Sequence, residues 1–182
     1  SDVLNARVKS WGDCDGLFLA QNSSTLSVEL AESLSAQGVI LMSLSEALEK
    51  HPEQVKAHFG KVYPAISSKD LALNMAYWNG GYFLYVPANV QVELPICALQ
   101  SVAGDNAFGF QRSLVIAERG AQVTLIHDAY SENEKASWVS DVVELWLNGN
   151  AQVNAVYMQN WDRQMHAQHY AKAHVARDAR YH

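Results

Sequence analysis

Three short segments decide the fold of this chain: Val90-Gln91-Val92, Ala121-Gln122-Val123 and Ala151-Gln152-Val153. A small or apolar residue, glutamine and valine recur with a spacing of 31 and then 30 residues (positions 90, 121 and 151). Asparagine or glycine directly precedes each segment, and these residues tolerate the left-handed backbone of a sharp corner. A repeat of this length is typical of architectures in which each unit stacks on the next.

A strand-like segment precedes each of the three repeated units. These segments are rich in β-branched and aromatic residues and comprise residues 82–86, 113–117 and 142–147. Two strands in every period, with no helix between them, predict a mainly β protein, a β-solenoid. An ordinary β-sandwich with similar hairpins is the alternative. The solenoid places Val92, Val123 and Val153 at equivalent positions in successive coils of parallel strands.

The region before the repeat predicts a small α/β cap with short helices. Residues 26–30 and 38–42 read as strands. Three helices are predicted after them: one capped by Ser43, with Glu46 in capping-box spacing, one from Pro52 to Gly60, and one from Ser67 to Gly80. The predicted domains are therefore residues 1–80, the N-terminal cap, and residues 81–182, the solenoid core.

Composition narrows the class of protein. The 182 residues are 49% hydrophobic and 18% charged, with a formal net charge of −6, which predicts a folded chain. The acidic balance argues against nucleic acid and anionic membrane surfaces as partners, and no apolar run is long enough to cross a bilayer. Two cysteines far apart in sequence form no disulfide framework, so a reducing cytoplasm is the expected compartment.

The ends of the chain suggest a fragment of a longer protein. It opens at Ser1 rather than methionine, and strand-like sequence runs on to its last residue, His182. A solenoid cut in mid-stack exposes unpaired backbone, and a two-fold dimer is the simplest way to cover it. We therefore expect a homodimer formed through residues 140–182.

The sequence carries no motif of a known catalytic site. It has no nucleophile elbow, no phosphate-binding loop and no dinucleotide fingerprint, so the prediction is that the chain is not an enzyme. His166, His169 and His174 are weak metal-ligand candidates, and a metalloenzyme built on them is the remaining catalytic hypothesis. On a strand, however, His166 and His174 face one side and His169 the other, so no metal site is predicted.

Two further sets of residues are interpreted locally. Cys97 lies in an apolar setting and is predicted to be buried and inert, whereas the aspartates on both sides of Cys14 should raise the pKa of its thiol. Gln159 and Trp161 end the last repeat. The local interpretation is that Trp161 packs against the stack and Gln159 hydrogen-bonds a neighbouring coil.

Several of these segments resemble the SufB/SufD family, whose members belong to the SUF machinery for iron–sulfur cluster assembly. The resemblance covers about residues 38–182, and its most specific part is Leu71 to Ile96. It is carried by Leu71–Ala76, Trp78, Gly80-Gly81, Tyr85–Pro87, Val90–Ile96, Arg112–Ala117, Gly120-Ala121, Gln159–Trp161 and Arg177–Ala179.

The resemblance implies a right-handed parallel β-helix in a non-catalytic, cytoplasmic scaffold. Family members pair as SufB with SufD and bind the ATPase SufC through a C-terminal helical region that lies beyond this sequence. No cofactor is implied for this chain, because the iron–sulfur cluster is handled by the complex. Gln159 and Trp161 match positions that line the tunnel of SufB, which makes them the tunnel or cluster-assembly candidates.

The resemblance favours a SufD-like identity. SufB-like chains carry a cysteine where this chain has Ala129, and an Arg-x-Asn pair that aligns with Ser101 and Ala103. The rival function is a β-solenoid that binds carbohydrate or another extended ligand. Such a module should show a row of aromatic side chains at the repeat period. The equivalent residues here are Tyr85, Ile116 and Trp146, which form no such row.

Overall fold

The computed structural model describes residues 2–104, 106–132 and 136–182, with side chains from Ala6 onward in the first helix. The helices are α1 (Asp2–Ser10), α2 (Glu32–Ala36), α3 (Leu44–Lys50), α4 (Pro52–His58) and α5 (Lys69–Tyr77), with a 3-10 helix at Ala65–Ser67. The strands are β1 (Gly16–Gln21), β2 (Ser24–Leu30), β3 (Ile40–Ser43), β4 (Tyr82–Val86), β5 (Ile96–Ala103), β6 (Phe108–Ala117), β7 (Gln122–Glu132), β8 (Ser137–Leu147), β9 (Gln152–Asn160), β10 (Met165–Val175) and β11 (Arg180–Tyr181).

From β4 onward the chain alternates between two sheets. The first sheet has the strand order β11-β9-β7-β5-β1-β2, and the second has the order β10-β8-β6-β4-β3. Every strand from β6 to β11 pairs in parallel with the strand two positions earlier in sequence. This arrangement is a parallel β-solenoid of about three turns, as predicted, and it excludes the antiparallel sandwich.

The repeated valines occupy equivalent positions, which confirms the prediction made from their spacing. Val123 pairs with Val153, and the Val92 amide donates to the Gln122 carbonyl at 2.9 Å. All three valines are buried in one apolar cluster. The predicted corners are left-handed as well: φ is +62° at Asn89, +71° at Gly120 and +61° at Asn150. The left-handed corners and the register of the valines therefore recur together in each coil.

The first repeated unit differs from the other two. Gln91 forms an isolated bridge to Gln122, and the continuous strand β5 begins only at Ile96. Pro95 has no N–H to donate to a ladder, and it stands directly before the strand. The Leu94 amide instead donates to the Asp15 carboxylate at 2.9 Å. The Pro95 carbonyl in turn accepts from the Asp15 amide at 3.0 Å, so the residues before β5 are bonded to the N-terminal region.

The N-terminal region contains more structure than its sequence predicted. The three predicted helices form: α3 is capped by Ser43 as expected, α4 begins at Pro52, and α5 is capped by Ser68, one residue after its predicted start. Each of the two serines accepts from the backbone amide three residues later. Helix α1, strand β1 and helix α2 were not predicted, because their short segments lack clear periodicity. β1 extends the first sheet and β3 extends the second. The division into residues 1–80 and 81–182 stays a prediction, since both ranges contribute strands to each sheet.

A buried ion pair holds the N-terminal segment on the outer face of the second sheet. Arg112 Nη2 lies 2.7 Å from Glu144 Oε1, and both side chains are fully buried. The Glu144 carboxylate also accepts from the backbone amides of Gly60, Val62 and Tyr63, at 3.0–3.2 Å. One carboxylate thus accepts hydrogen bonds both from the loop after α4 and from Arg112 on the strand beneath it.

Candidate functional site

The interior of the solenoid is divided into an apolar half and a polar half. The apolar half lies next to the repeated corners and includes Val115, Val123, Leu125, Val143, Leu145 and Val153. Further along the same strands the inward side chains become polar. Gln100, Gln111, His127 and Asp141 are each 3% exposed or less. We call this second part the polar lumen.

Strand alternation and stacking register position the polar lumen. On β7, His127 lies four residues beyond Val123, so it shares the inward face and stacks on Tyr157 of β9. On β8, Asp141 is in register with His169 of β10. Because β7 and β8 belong to opposite sheets, the His127–Tyr157 pair faces the Asp141–His169 pair across the lumen.

His127, Asp141 and His169 form a close cluster in the polar lumen, hereafter the lumen triad. Asp141 Oδ2 lies 2.8 Å from His127 Nε2 and 2.8 Å from His169 Nδ1. The nitrogen and oxygen atoms that the three side chains offer to a ligand lie within 4.8 Å of one another. Tyr82 approaches His127 from the other side, with its hydroxyl 3.2 Å from Nδ1. The ring of Tyr157 packs against both imidazoles.

Burial and charge act on the lumen triad in opposite directions. Burial by itself would raise the pKa of Asp141, but the imidazoles of His127 and His169 hold that pKa below its ordinary value. Asp141 is therefore a carboxylate at neutral pH. Burial raises the pKa of Tyr82 well above its ordinary value, so its hydroxyl stays protonated. The cluster offers one buried anion, two imidazoles and a neutral phenol.

Several atoms of the lumen triad lack a hydrogen-bond partner among the described residues. They are His127 Nε2, Asp141 Oδ1 and His169 Nε2. His127 Nε2 is close to the carboxylate, yet the contact does not have the angle of a hydrogen bond. Buried polar atoms are nearly always satisfied by protein, ordered water or an ion, so these three call for an explanation.

The structure separates the three histidines that the sequence singled out. His166 and His174 are exposed on one side of β10, while the side chain of His169 is 14% exposed and faces the lumen. The predicted alternation is therefore present, and His169 is the member that joins other ligand-type residues. His127 and Asp141 were missed. Counting alternate residues onward from Val123 would have placed His127 on the inward face.

Gln159 and Trp161, the tunnel candidates, lie at the open end of the same column. Gln159 stacks on Ala129, one inward position beyond Tyr157. Gln159 is exposed and Trp161 is half-buried. The indole Nε1 of Trp161 donates to Gln159 Oε1 at 3.2 Å, so the two side chains bond each other.

The two cysteines lie on the outer face of the first sheet, away from the lumen. Cys97 is buried in an apolar cluster with Leu17 and Leu99, and Cys14 packs against that cluster. Both are free thiols. Burial, with a contribution from the neighbouring Cys14, raises the pKa of Cys97 to about 12. Burial is also the largest cause of the raised pKa of Cys14, ahead of the adjacent acidic residues. The predicted direction is confirmed, although its main cause was misjudged.

This arrangement predicts very slow alkylation of Cys97. At pH 8 a thiol with a pKa near 12 is ionised about a thousandfold less than an ordinary one. In the Cys14→Ser variant, native Cys97 should label with iodoacetamide at least about a thousandfold more slowly than the guanidinium-unfolded chain, with a rate that still rises above pH 9. Rapid labelling of native Cys97 at pH 8, measured by mass spectrometry, would contradict this.

The rival ligand-binding surface is not favoured. Tyr85, Ile116 and Trp146 are in register, as the repeat predicted. However, Ile116 is fully buried, and His58 of α4 packs edge-on against Trp146 at 5.0 Å. The helical layer therefore covers this row, and no exposed aromatic ladder forms there.

Comparisons with known proteins place the chain in a family. Residues 15–98 match the family model described as the SufBD protein N-terminal region, and residues 100–182 match the one described as SUF system FeS cluster assembly, SufBD core domain. The two models follow one another along the chain. The chain belongs to the SufBD family.

Curated relatives agree with this assignment. An iron–sulfur cluster assembly SufBD family protein of Staphylococcus haemolyticus (strain JCSC1435) is 33% identical over 147 residues, which is 80% of this chain and 32% of the relative. SufBD family proteins of Staphylococcus aureus strains MRSA252 and USA300 are 33% and 32% identical over the same length and shares. The chain thus spans about a third of the length of these relatives.

No helix in the described part of the chain combines the length and apolar character needed to cross a membrane.

Proposed function

We propose that the chain is a SufD-like, non-catalytic scaffold subunit of the SUF machinery for iron–sulfur cluster assembly. The observation that carries this proposal is the consecutive match of both SufBD family models on a stacked β-solenoid. The named relatives are themselves iron–sulfur cluster assembly proteins. In this proposal the cluster is cargo of the complex, and the chain needs no resident cofactor for its scaffold role.

The SufD-like assignment rests on what lines the lumen. Ala129 is 2% exposed and lies in register between Gln100 and Gln159. The cysteine expected of a SufB-like chain would therefore point into the lumen at this position, and alanine supplies no thiol there. Ser101 and Ala103 replace the Arg-x-Asn pair, and they alternate with Gln100 onto the outer face of the first sheet, where Ser101 is in register with Tyr130. A lumen without this thiol supports a structural partner rather than the cluster-building subunit.

The proposed partners are a SufB-like subunit and a SufC-like ATPase, in the cytoplasm. The two free thiols on the first sheet suit a reducing compartment. Co-expression of the chain with both subunits should give a complex that survives affinity purification through a tag on the SufB-like protein. A matched chain with a scrambled 82–182 segment should not be retained. Failure of the intact chain to copurify with either subunit would contradict the proposed function.

Gln159 and Trp161 are proposed to line the passage through the assembled scaffold. Their mutual hydrogen bond joins the two side chains near the open end of the polar lumen. Trp161→Phe keeps an aromatic ring but removes the donor. It should lower reconstituted cluster yield in the complex while leaving copurification intact. The exposed His166→Gln on β10 is the control. Unchanged yield for both Trp161→Phe and Gln159→Leu would argue for a purely structural role.

The chain alone is proposed to form a homodimer through its last coil. β10 and β11 are the edge strands of the two sheets at this end, and an exposed edge favours pairing with a second copy. Val175 is 44% exposed on β10, and Val28 is 36% exposed on β2 at the opposite end. In light scattering, Val175→Lys should shift the dimer toward monomer and Val28→Lys should not. A wild-type monomer at tens of micromolar would overturn the proposal.

A further inference from the structure

The lumen triad has the composition of a site for a divalent transition-metal ion. Two imidazoles and one carboxylate suit zinc, cobalt and ferrous ions, which bind nitrogen and oxygen ligands together. Two donors that each lie about 2.1 Å from one ion are about 3–4 Å apart, depending on the geometry. The donor atoms of His127, Asp141 and His169 lie within 4.8 Å of one another, close to this range.

The unpartnered atoms of the lumen triad are the ones that a metal would use. His127 Nε2, His169 Nε2 and Asp141 Oδ1 lack hydrogen-bond partners among the described residues, and His127 and Asp141 are almost fully buried. His169 already uses its other ring nitrogen, Nδ1, in a 2.8 Å hydrogen bond with Asp141 Oδ2, as a purely structural network would, but His127 does not. His127 Nε2 lies 2.8 Å from that carboxylate without hydrogen-bond geometry.

The surroundings supply an outer shell and an entry path. Metal-binding histidines usually hydrogen-bond through the ring nitrogen that does not bind the metal. The Tyr82 hydroxyl lies 3.2 Å from His127 Nδ1 and can accept a hydrogen bond from the N–H at that position, which leaves Nε2 free to bind a metal ion. His169 lies on the edge strand β10, and its partial exposure opens the site to solvent from that end.

We propose that His127, Asp141 and His169 bind one divalent transition-metal ion inside the solenoid, with remaining coordination positions open to water. No metal site was predicted from the sequence, because the prediction compared only the histidines of one segment, His166, His169 and His174. The triad draws its ligands from three strands and both sheets. This inference stands apart from the proposed function, because it concerns binding by the chain alone and is independent of any SUF partner.

Cobalt titration of the untagged chain tests the proposal. After treatment with a chelator and removal of that chelator, the chain should bind one Co²⁺ with visible absorption bands, and Zn²⁺ should displace it. His169→Gln removes one ligand at the accessible end and should weaken binding by at least about a hundredfold, while Tyr82→Phe should weaken it about tenfold through the outer shell.

His166→Gln is the matched control, because His166 lies three residues away on the same strand but faces solvent. It should bind Co²⁺ like the wild type. Circular dichroism confirms the fold of each variant, and His169→Gln remains informative where Asp141→Asn fails to fold. Absence of stoichiometric binding by the wild type would overturn the proposal. Binding that survives His169→Gln, or that is lost in His166→Gln, would overturn it equally.

Discussion

Gly81→Ala is expected to prevent the chain from reaching its native fold. Gly81 has φ of +120°, a backbone conformation that L side chains rarely adopt. A Cβ at this position would also overlap the backbone carbonyl oxygen of Arg112 on β6. Backbone cannot move aside as a flexible side chain does, so both sources of strain remain. A loss above about 4 kcal/mol marks such exceptional substitutions.

Gly12→Ala separates the two causes. Gly12 also has a positive φ, +79°, but a Cβ there would meet nothing within 4 Å. Its cost should be the conformational penalty alone, about 1–2 kcal/mol. Urea unfolding followed by circular dichroism measures both variants, with soluble yield as a second readout for Gly81→Ala. Similar stabilities for the two variants would show that the close approach of the Arg112 backbone does not matter.

Glu144→Gln is expected to give the other large loss. Glutamine keeps the shape but places an NH₂ group among N–H donors and leaves the buried Arg112 guanidinium without its counter-charge. Breaking a buried pair in this way costs about 3–5 kcal/mol. In a chain of this length that corresponds to a fall of roughly 10 °C in the unfolding midpoint.

The exposed pair of Lys50 and Glu46 on α3 provides the comparison. Their charged atoms are 2.6 Å apart, close to the separation in the buried pair, yet both side chains are well exposed. Lys50→Gln should therefore leave the unfolding midpoint unchanged. Differential scanning calorimetry decides between the two variants. A midpoint for Glu144→Gln within about 2 °C of the wild type would mean that the loop after α4 finds other acceptors.

The solenoid itself could be predicted from sequence because its determinants are local and repeated. Each corner needs a residue that accepts a left-handed backbone, and each following valine needs the same burial, so the pattern appears three times. Helix α3 was predictable for the same reason, since Ser43 and Glu46 lie within one turn. Helix α1 offers no such signal. Arg7 binds Asp128 in a bidentate pair at 2.6 and 2.7 Å, a contact between residues far apart in the chain.

The candidate site was harder to predict because its members meet only through the fold. Histidines were compared with neighbours in sequence, which grouped His169 with His166 and His174. Its actual partners come from two earlier strands. Glu144 posed the same difficulty, since alternation places it on an outer face but does not reveal that a helical layer covers that face. The predicted helix from Ser67 was ended at Gly80 on local grounds, which gave no sign that the neighbouring Gly81 is required by the close approach of the Arg112 backbone.

In the interior of the solenoid, the apolar half supplies the packing between coils, and the polar lumen supplies the side chains that can bind a ligand. Because the aliphatic side chains beside the corners pack each coil on the next, the stability of the stack depends little on the side chains of the polar lumen. Substitutions in the polar lumen can therefore change which ligands fit there without destabilising the stacked coils.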